Sequence, residues 1–530
     1  MRIMATTFLV ALCSIIYELV LAQLNNIIWG QTVLSYSLTI GIYLMSLGLG
    51  SFFYKRIKMK PESLFVFVEV LLFTIGVSSP ILVALVTPSI VHKMPLLLYT
   101  ISYSPIVAIG LLSGLEIPLL TDLNLGSGFE KILGVDYFGS LVGTVLYALY
   151  LYPKLGIIST AIVIASINLF VAIYFAFKNI NNKSILSFLV VLLVFDISLL
   201  SNTSHIQDYI MKQFRGEMIE KKLNQKVEII NYKRTPYQTI SHIQYYNNYY
   251  KKKHNIVFLN DNVQLNDKWM DEYHKSLIMP FAYYFSTDKN LKVAVLGGGD
   301  GQLVKLLLEF DNVSTIDLFD LDKDVIDFFS NDPYYSQFNG LNLKSPKVNL
   351  KIGDVYYKLR DKVINGDTKQ YDAIFFDLPG LKSEELLKLY SLEFFSYINL
   401  TLKDSGIFVA WMYPREEIQD IVQANLFLAN FNYLKKSCLY SKGYPPPSFQ
   451  GDLIHENCYS DIFYIVSKRE LVGESTNLKD SYILEASSFM SDNPWRPLRK
   501  KNSYKLRNSL FLPNYELLSL SKKGSVKKKK

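Results

Sequence analysis

Seven apolar stretches occupy roughly the first two hundred positions of the chain: 6–28, 33–53, 64–86, 96–120, 137–151, 157–177 and 185–200. A hydrocarbon core takes about 20 apolar helical residues to cross. Backbone amides inside lipid must be satisfied within the segment, so runs of this length point to helices. This half is therefore expected to be an α-helical multi-pass membrane domain. The first run is too long for the apolar core of a cleaved signal, and a second span follows almost at once. The fifth is the weakest, being short and rich in Gly and Tyr. Gly48, Gly50, Ser51 and the Gly139-x-x-x-Gly143 pair are small enough to let helices approach closely.

The loops carry an orientation signal. Lys55, Arg56, Lys58 and Lys60 follow the second span, and Lys178 and Lys183 lie between the sixth and seventh, which assigns both loops to the cytoplasm. Seven crossings then carry the remainder of the chain outside. A cytoplasmic soluble half requires that one segment does not cross, or that the amino terminus lies outside. A cytoplasmic soluble half at the cell membrane is the expectation. Glu18, Glu69, Glu116, Asp136 and Asp196 fall within or beside these spans. Acids in lipid are costly, and they serve either as bonds between neighbouring helices or as a cation site.

From about Gln207 the pattern changes to that of a soluble domain. Segments 227–230, 239–245 and 255–259 read as strands. Strands are then expected at 293–296, 315–319, 348–352, 373–376 and 407–411, with helices starting at Gln302 and Asp324 and helical segments between the later strands. That alternation predicts a parallel, doubly wound sheet of Rossmann-like type. The insertion 438–458, with Pro445, Pro446 and Pro447, reads as a loop, and the region after Asn493 as a basic tail. The expected organisation is membrane domain 1–203, a small β-rich subdomain 204–285, the Rossmann-like domain 286–492 and a tail 493–530.

Charge and cysteine usage narrow the chemistry. The net charge of +8 owes much to local clusters such as Lys527 to Lys530, which read as a solvated tail. No basic patch interleaved with aromatics is present, so nucleic acid is not an expected partner, whereas membrane lipid is. Cys13, Cys438 and Cys458 have neither zinc nor redox spacing, so neither a metal nor a disulfide framework is expected.

The strongest local motif is Val293-Ala-Val-Leu-Gly-Gly-Gly-Asp-Gly301, an apolar strand running into a glycine turn before a helix. Ligands collect at the carboxyl ends of such strands, and glycines let the backbone approach them. Asp320, about 20 residues on and at the end of the next strand, stands where a ribose diol is held, with Asp322 beside it. Asp300 brings a carboxylate into the glycine loop, which would repel a pyrophosphate and suits a cationic sulfonium nucleoside. Asp354 and Asp377 end two further strands at the same edge.

Together these residues resemble the polyamine aminopropyltransferases, the spermidine synthase family. The motifs are Gly297-Gly-Gly-Asp-Gly301, Asp320, Gly353-Asp354 and Tyr371-Asp-Ala-Ile-Phe-Phe-Asp377. Thr235-Pro-Tyr-Gln238, Gln264 and Asp271-Glu-Tyr-His274 add to them upstream. Ile16-Tyr-Glu18 and Gly114-Leu-Glu-Ile-Pro118 are similar to the family's membrane-anchored branch.

The resemblance implies aminopropyl transfer from decarboxylated S-adenosylmethionine, a co-substrate rather than a prosthetic group, to an amine, with release of methylthioadenosine. Under it Asp377 is the general base. Gln238, Gly297, Gly299, Asp300, Asp320 and Asp354 bind the donor, with Asp300 on its amine, Asp320 on the ribose and Asp354 on the adenine. His274, Asp300, Tyr273 and Gln264 face the amine substrate. By analogy with soluble relatives, a homodimer is expected.

The sequence departs from the family pattern at three places: Asp377-Leu-Pro-Gly380-Leu381 has Gly380 where membrane relatives carry a second acid, which would grip the amine, Asn260-Asp261 replaces the usual Asp-Gly, and Asp320, on the donor side, stands for a more frequent Glu. Two other readings stay open on the sequence. One is a methyltransferase using intact S-adenosylmethionine. The other is a polyamine- or nucleoside-binding or transport protein.

Overall fold

The computed structural model describes residues 3–29, 32–91, 93–124, 128–180, 182–247, 251–260, 262–267, 270–285, 288–381, 384–412, 416–438, 462–470, 496–498 and 508. Most of the proline-bearing insertion and of the basic tail lie outside them, as do Asp261 and the side chains of Asp271 and Glu272. Packing divides the chain into two compact units, Met1–Lys253 and His254–Lys530. The division runs through the segment expected to form a β-rich subdomain.

The first unit opens with α1 (Ile3–Trp29), α2 (Thr32–Phe53), α3 (Pro61–Ile90), α4 (Pro95–Leu123) and α5 (Phe129–Leu146). A π-helical turn, Tyr147–Leu151, joins α5 to the short α6 (Tyr152–Leu155), and α7 (Ile157–Asn179) and α8 (Lys183–Ser201) come next. Among the described residues, seven helices are long and apolar enough to cross a membrane, including the continuous rod Phe129–Leu155. The fifth segment is thus longer than its hydropathy implies, because Glu130, Lys131 and Asp136 dilute the apolar signal of its first turns.

Close helix contact explains the small residues. A Cβ at Gly139 would lie 2.6 Å from the carbonyl of Phe8, and one at Gly143 would lie 2.9 Å from that of Leu12. α5 therefore packs backbone to backbone on α1. Gly50 of α2 is held in the same way against Leu111 of α4, while Gly48 faces open space.

The hydropathy pattern does not disclose α9 (Thr203–Leu223), an amphipathic helix with Gln207, Ile210, Met211, Phe214, Arg215 and Ile219 buried. Their spacing of three and four residues marks one helical face. Gln207 Oε1 accepts from the backbone N–H groups of Ile158 at 2.7 Å and Ser159 at 3.2 Å. It thereby supplies a partner to two of the free donors at the start of α7. A hairpin of β1 (Val227–Arg234) and β2 (Thr239–Asn247) closes the unit, with Arg234 donating to the carbonyl of Tyr152 at 2.6 Å.

After the hairpin of β3 (Lys252–Leu259) and β4 (Asn262–Asn266), the second unit continues with α10 (Met270–Tyr284), β5 (Leu291–Gly297), α11 (Gln302–Leu308), β6 (Val313–Asp320), α12 (Lys323–Asn331) and α13 (Tyr335–Phe338). Next come β7 (Val348–Ile352), α14 (Val355–Ile364), β8 (Tyr371–Asp377), α15 (Leu392–Thr401), β9 (Leu402–Met412) and α16 (Glu416–Leu428). The last strands are β10 (Tyr433–Cys438), β11 (Ile462–Ser467) and β12 (Arg496–Pro497).

These strands form one sheet in the order β12-β10-β11-β9-β8-β5-β6-β7. From β7 to β9 every pairing is parallel, whereas β11 runs antiparallel to both β9 and β10, and β12 antiparallel to β10. The sheet is mixed, which corrects the expectation of a purely parallel one. A strand buried on both faces reads as an apolar run whichever way it points, so direction is invisible in the pattern. The chain leaves β5 toward β6 on one side and later returns to β8 on the other. The β5/β8 junction is therefore the topological switch point, where crevices form at the carboxyl ends of strands.

Candidate active site

The glycine turn is built by close approach at that junction. Gly297 ends β5 at φ +85° and Gly298 comes next at +76°, backbone states that L side chains adopt only with strain. A Cβ on Gly297 would run into the carbonyl of Asp377, and one on Gly298 would stand 3.1 Å from Asp377 Oδ2. The loop thus lies directly against the last residue of β8.

Three side chains converge beside it. His274 of α10, Asp300 of the loop and Asp377 of β8 are all buried, and each offers a donor atom within 4.8 Å of the others. His274 Nε2 is 3.4 Å from Asp377 Oδ2, which is buried and has no hydrogen-bond partner among the described residues. Asp300 is better held. Its Oδ1 accepts from the N–H of Gln302 at 2.9 Å, its Oδ2 accepts from Gln264 Nε2 of β4 at 3.3 Å, and its carbonyl accepts from Asn339 Nδ2. Burial pushes the Asp300 carboxyl above the usual range; His274 opposes that and the Asp377 charge adds to it. His274 also meets the ring of Tyr273 edge-on at 5.0 Å, and Tyr273 packs on Phe463 of β11 at 5.6 Å.

Asp320 closes the other side of the loop. Its Oδ2 accepts from Gly299 N–H and its Oδ1 from Asp322 N–H, each at 2.9 Å. Burial drives this carboxyl up to about 6; the two backbone donors pull it down, and the charges of Asp322 and Asp300 push it further up. A Cβ on Gly299 would collide with the Asp320 carboxylate, so only glycine permits this contact.

Asp354 caps α14 by accepting from Tyr356 N–H at 3.0 Å, and its second oxygen pairs with Lys388. Gln238 lies in the β1–β2 turn of the first unit, where Thr235 Oγ1 accepts from Tyr237 N–H at 3.1 Å and from Gln238 N–H at 3.0 Å. The second unit therefore brings together Gln264, His274, Asp300 and Asp377 in one group, linked through the glycine loop to Asp320. Tyr273 flanks the group, and Asp354 ends the neighbouring strand with both oxygens engaged.

Sequence reasoning misses Asn339 and Lys388. Asn339 is fully buried and precedes Gly340, whose missing Cβ would strike the carbonyl of Phe329. An Asn-Gly pair shortly after a helix is the available signal.

The spermine/spermidine synthase domain family matches residues 270–430, the segment that holds this group apart from Gln264. A polyamine aminopropyltransferase 2 from Aquifex aeolicus is 28% identical over 537 residues, covering 97% of this chain and 95% of its own length. The chain therefore carries a spermine/spermidine synthase domain and is similar over most of its length to polyamine aminopropyltransferases. It is accordingly a transferase of the spermidine synthase type. Another relative, a polyamine aminopropyltransferase of Leptospira interrogans, is 28% identical over 408 residues, 76% of this chain and 77% of its own length. A solved spermidine synthase in complex with the transition-state analogue AdoDATO covers 50% of this chain and 86% of its own, with 17% identity and a TM-score of 0.39.

The chain turns immediately after Asp377. Beyond Asp377 come Leu378, the exposed Pro379, Gly380 and Leu381, and the Leu381 side chain is buried in the sheet's apolar core with Phe376 and Met412. Gly380 thus stands where the resemblance leads us to expect a second acid, and the chain turns inward.

Proposed function

We propose that this chain transfers the aminopropyl group of decarboxylated S-adenosylmethionine to an amine and releases methylthioadenosine, while anchored in a membrane by its helical unit. The observation that carries the reading is Asp377 Oδ2, a buried carboxylate oxygen without a hydrogen-bond partner among the described residues, beside His274 and Asp300. Leaving such an oxygen unsatisfied costs about 1–3 kcal/mol or more, which an incoming N–H donor would recover.

In the reaction the amine nitrogen attacks the carbon next to the sulfonium. The carbon–sulfur bond breaks, its electron pair stays on sulfur to give the neutral thioether, and the proton lost from the new ammonium goes to Asp377. A positioned base of this kind contributes about 10²- to 10⁴-fold, and aligning nitrogen, carbon and sulfur supplies much of the rest. Asp300 holds the donor's free ammonium, and its negative neighbour Asp377 disfavours the carboxylate that intact S-adenosylmethionine would bring. Asp320 accepts from the ribose hydroxyls, and Asp354 serves the adenine amine, sharing an oxygen now bound by Lys388. With Gly380 in place of an acid, the acceptor is gripped at its reacting nitrogen rather than at its far end. The catalytic unit is placed in the cytoplasm, which with seven crossings sets the amino terminus outside, against the charge bias of the loops.

The test is product identity. Purified protein is incubated with a panel of mono- and diamines and with decarboxylated or intact donor. Methylthioadenosine is expected from the decarboxylated donor, and Asp377→Asn should lower kcat by about 10²- to 10⁴-fold. S-adenosylhomocysteine from the intact donor would assign methyl transfer instead, and an Asp377→Asn variant of undiminished kcat would remove the proposed base.

A further inference from the structure

The helical unit buries titratable groups that aminopropyl transfer does not use. Glu69 of α3 is 0% exposed and Glu116 of α4 is 4% exposed. One oxygen of each is engaged. Glu69 Oε2 accepts from Asn168 Nδ2 of α7 at 2.6 Å, and Asn168 Oδ1 accepts from Tyr17 of α1 at 2.9 Å. Glu116 Oε2 accepts from Ser14 of α1 at 3.4 Å, and Ser14 shares a 2.7 Å hydrogen bond with Ser113. The second oxygen of each, Glu69 Oε1 and Glu116 Oε1, is buried and has no partner among the described residues.

The groups around them are acids and weak acids. Glu116 feels the charge of Glu69 and of Asp136 on α5. Cys13 of α1 feels both glutamates, Tyr17 feels both together with Asp196 of α8, and Tyr43 of α2 feels Glu116 and Glu18. Two carboxylates buried in an apolar bundle, each with an oxygen that lacks a hydrogen bond among the described residues, each cost a desolvation penalty as anions. Taking up a proton relieves that cost. Val68 and Leu72 beside Glu69 and Leu119 beside Glu116 in sequence are fully buried, so both carboxyls sit among apolar side chains, where a proton is the smallest neutralising species.

We propose that Glu69 and Glu116 form an exchangeable proton-binding site inside the helical bundle. Each carboxylate takes up one H⁺ on its unpartnered oxygen to become a neutral carboxyl and returns it to water, the charge of one setting the readiness of the other. Intramembrane carboxyls used in this way are the working parts of proton-coupled transport and relay. The inference stands on the interior of the bundle and is independent of aminopropyl transfer, so an inactive transferase would leave it standing.

The experiment is infrared difference spectroscopy on the full chain in lipid nanodiscs, following the carboxyl C=O stretch across roughly pH 5 to 9 in H₂O and D₂O. The expected result is a band that falls as pH rises and moves in D₂O. It should lose intensity in Glu69→Gln and in Glu116→Gln, and the carboxyl left in each variant should titrate over a different range from wild type. Should a variant fail to fold, ¹³C-labelled glutamate in the wild-type chain assigns the band to glutamate by its shift. Absence of the band in wild type, or a band that neither D₂O nor pH moves, would overturn the proposal.

Discussion

Protonation of Asp320 offers a direct probe of the proposed nucleoside subsite. Burial raises this carboxyl from 3.8 to about 6, a displacement of about 2 pH units, and at 1.36 kcal/mol per unit the ionised form costs the unliganded protein about 3 kcal/mol. For stability the sign is that of an acid raised on folding: its contribution is fully present below 3.8 and is lost as pH rises through about 6. For binding the sign reverses. A ribose diol donates two O–H groups, which only the ionised carboxylate accepts fully, so ligand returns the group toward its ordinary value.

Methylthioadenosine is the appropriate ligand, because it keeps the ribose and lacks the ammonium that Asp300 would hold. If the bound group titrates near 4 and the free one near 6, dissociation constants at pH 5 should be about tenfold weaker than at pH 7. Calorimetry at both pH values, in buffers of different ionisation enthalpy, would also report a proton released on binding at the lower pH. Asp320→Asn should bind more weakly and with little pH dependence, since an amide has nothing to titrate there. A wild-type dissociation constant that stays level between these pH values, or a variant that keeps the full pH dependence, would refute the assignment of Asp320 to the ribose.

Two further outcomes test the local geometry. In Gly299→Ala the new methyl group would displace the Asp320 carboxylate and break the Gly299 N–H bond; methylthioadenosine affinity should fall at least about tenfold, and urea unfolding should report a loss of about 1–3 kcal/mol. His274, Asp300 and Asp377 also have the spacing of a metal-ligand set, so turnover should be measured after chelation. Unchanged kcat is expected, because base and nucleophile need no Lewis acid here, and a loss restored by one divalent ion would reassign the cluster.

The parts legible in the chain were those whose signal is local. Apolar runs at helical length disclosed the seven long helices, and short runs of β-branched and aromatic residues disclosed the strands from β5 to β9. The glycine turn and the acids ending four parallel strands were legible for the same reason, since parallel strands deliver their carboxyl ends to one edge. Elements of mixed polarity were missed. α9 has charged residues on its outer face, and β10 carries Lys435 and Lys436 within its six residues, so neither looks apolar by itself. Each is held by partners distant in sequence, Gln207 by the start of α7 and β10 by β11.

The order of residues alone determined that a chain this apolar at one end and this patterned at the other would build helices first and a nucleoside-type sheet afterwards. It also determined which carboxylates would stand at the strand ends, because backbone periodicity and glycine stereochemistry act within a few residues. Tertiary structure decided the rest. It turned β11 against its neighbours, and it tied Asp300 to Asn339 and Asp354 to Lys388. It left Asp377 Oδ2 without a hydrogen bond among the described residues, and buried Glu69 and Glu116 with one unpartnered oxygen each among those residues. Those outcomes depend on what burial and desolvation do to groups far apart in the chain, and such distances are set only when the helices and the sheet have closed.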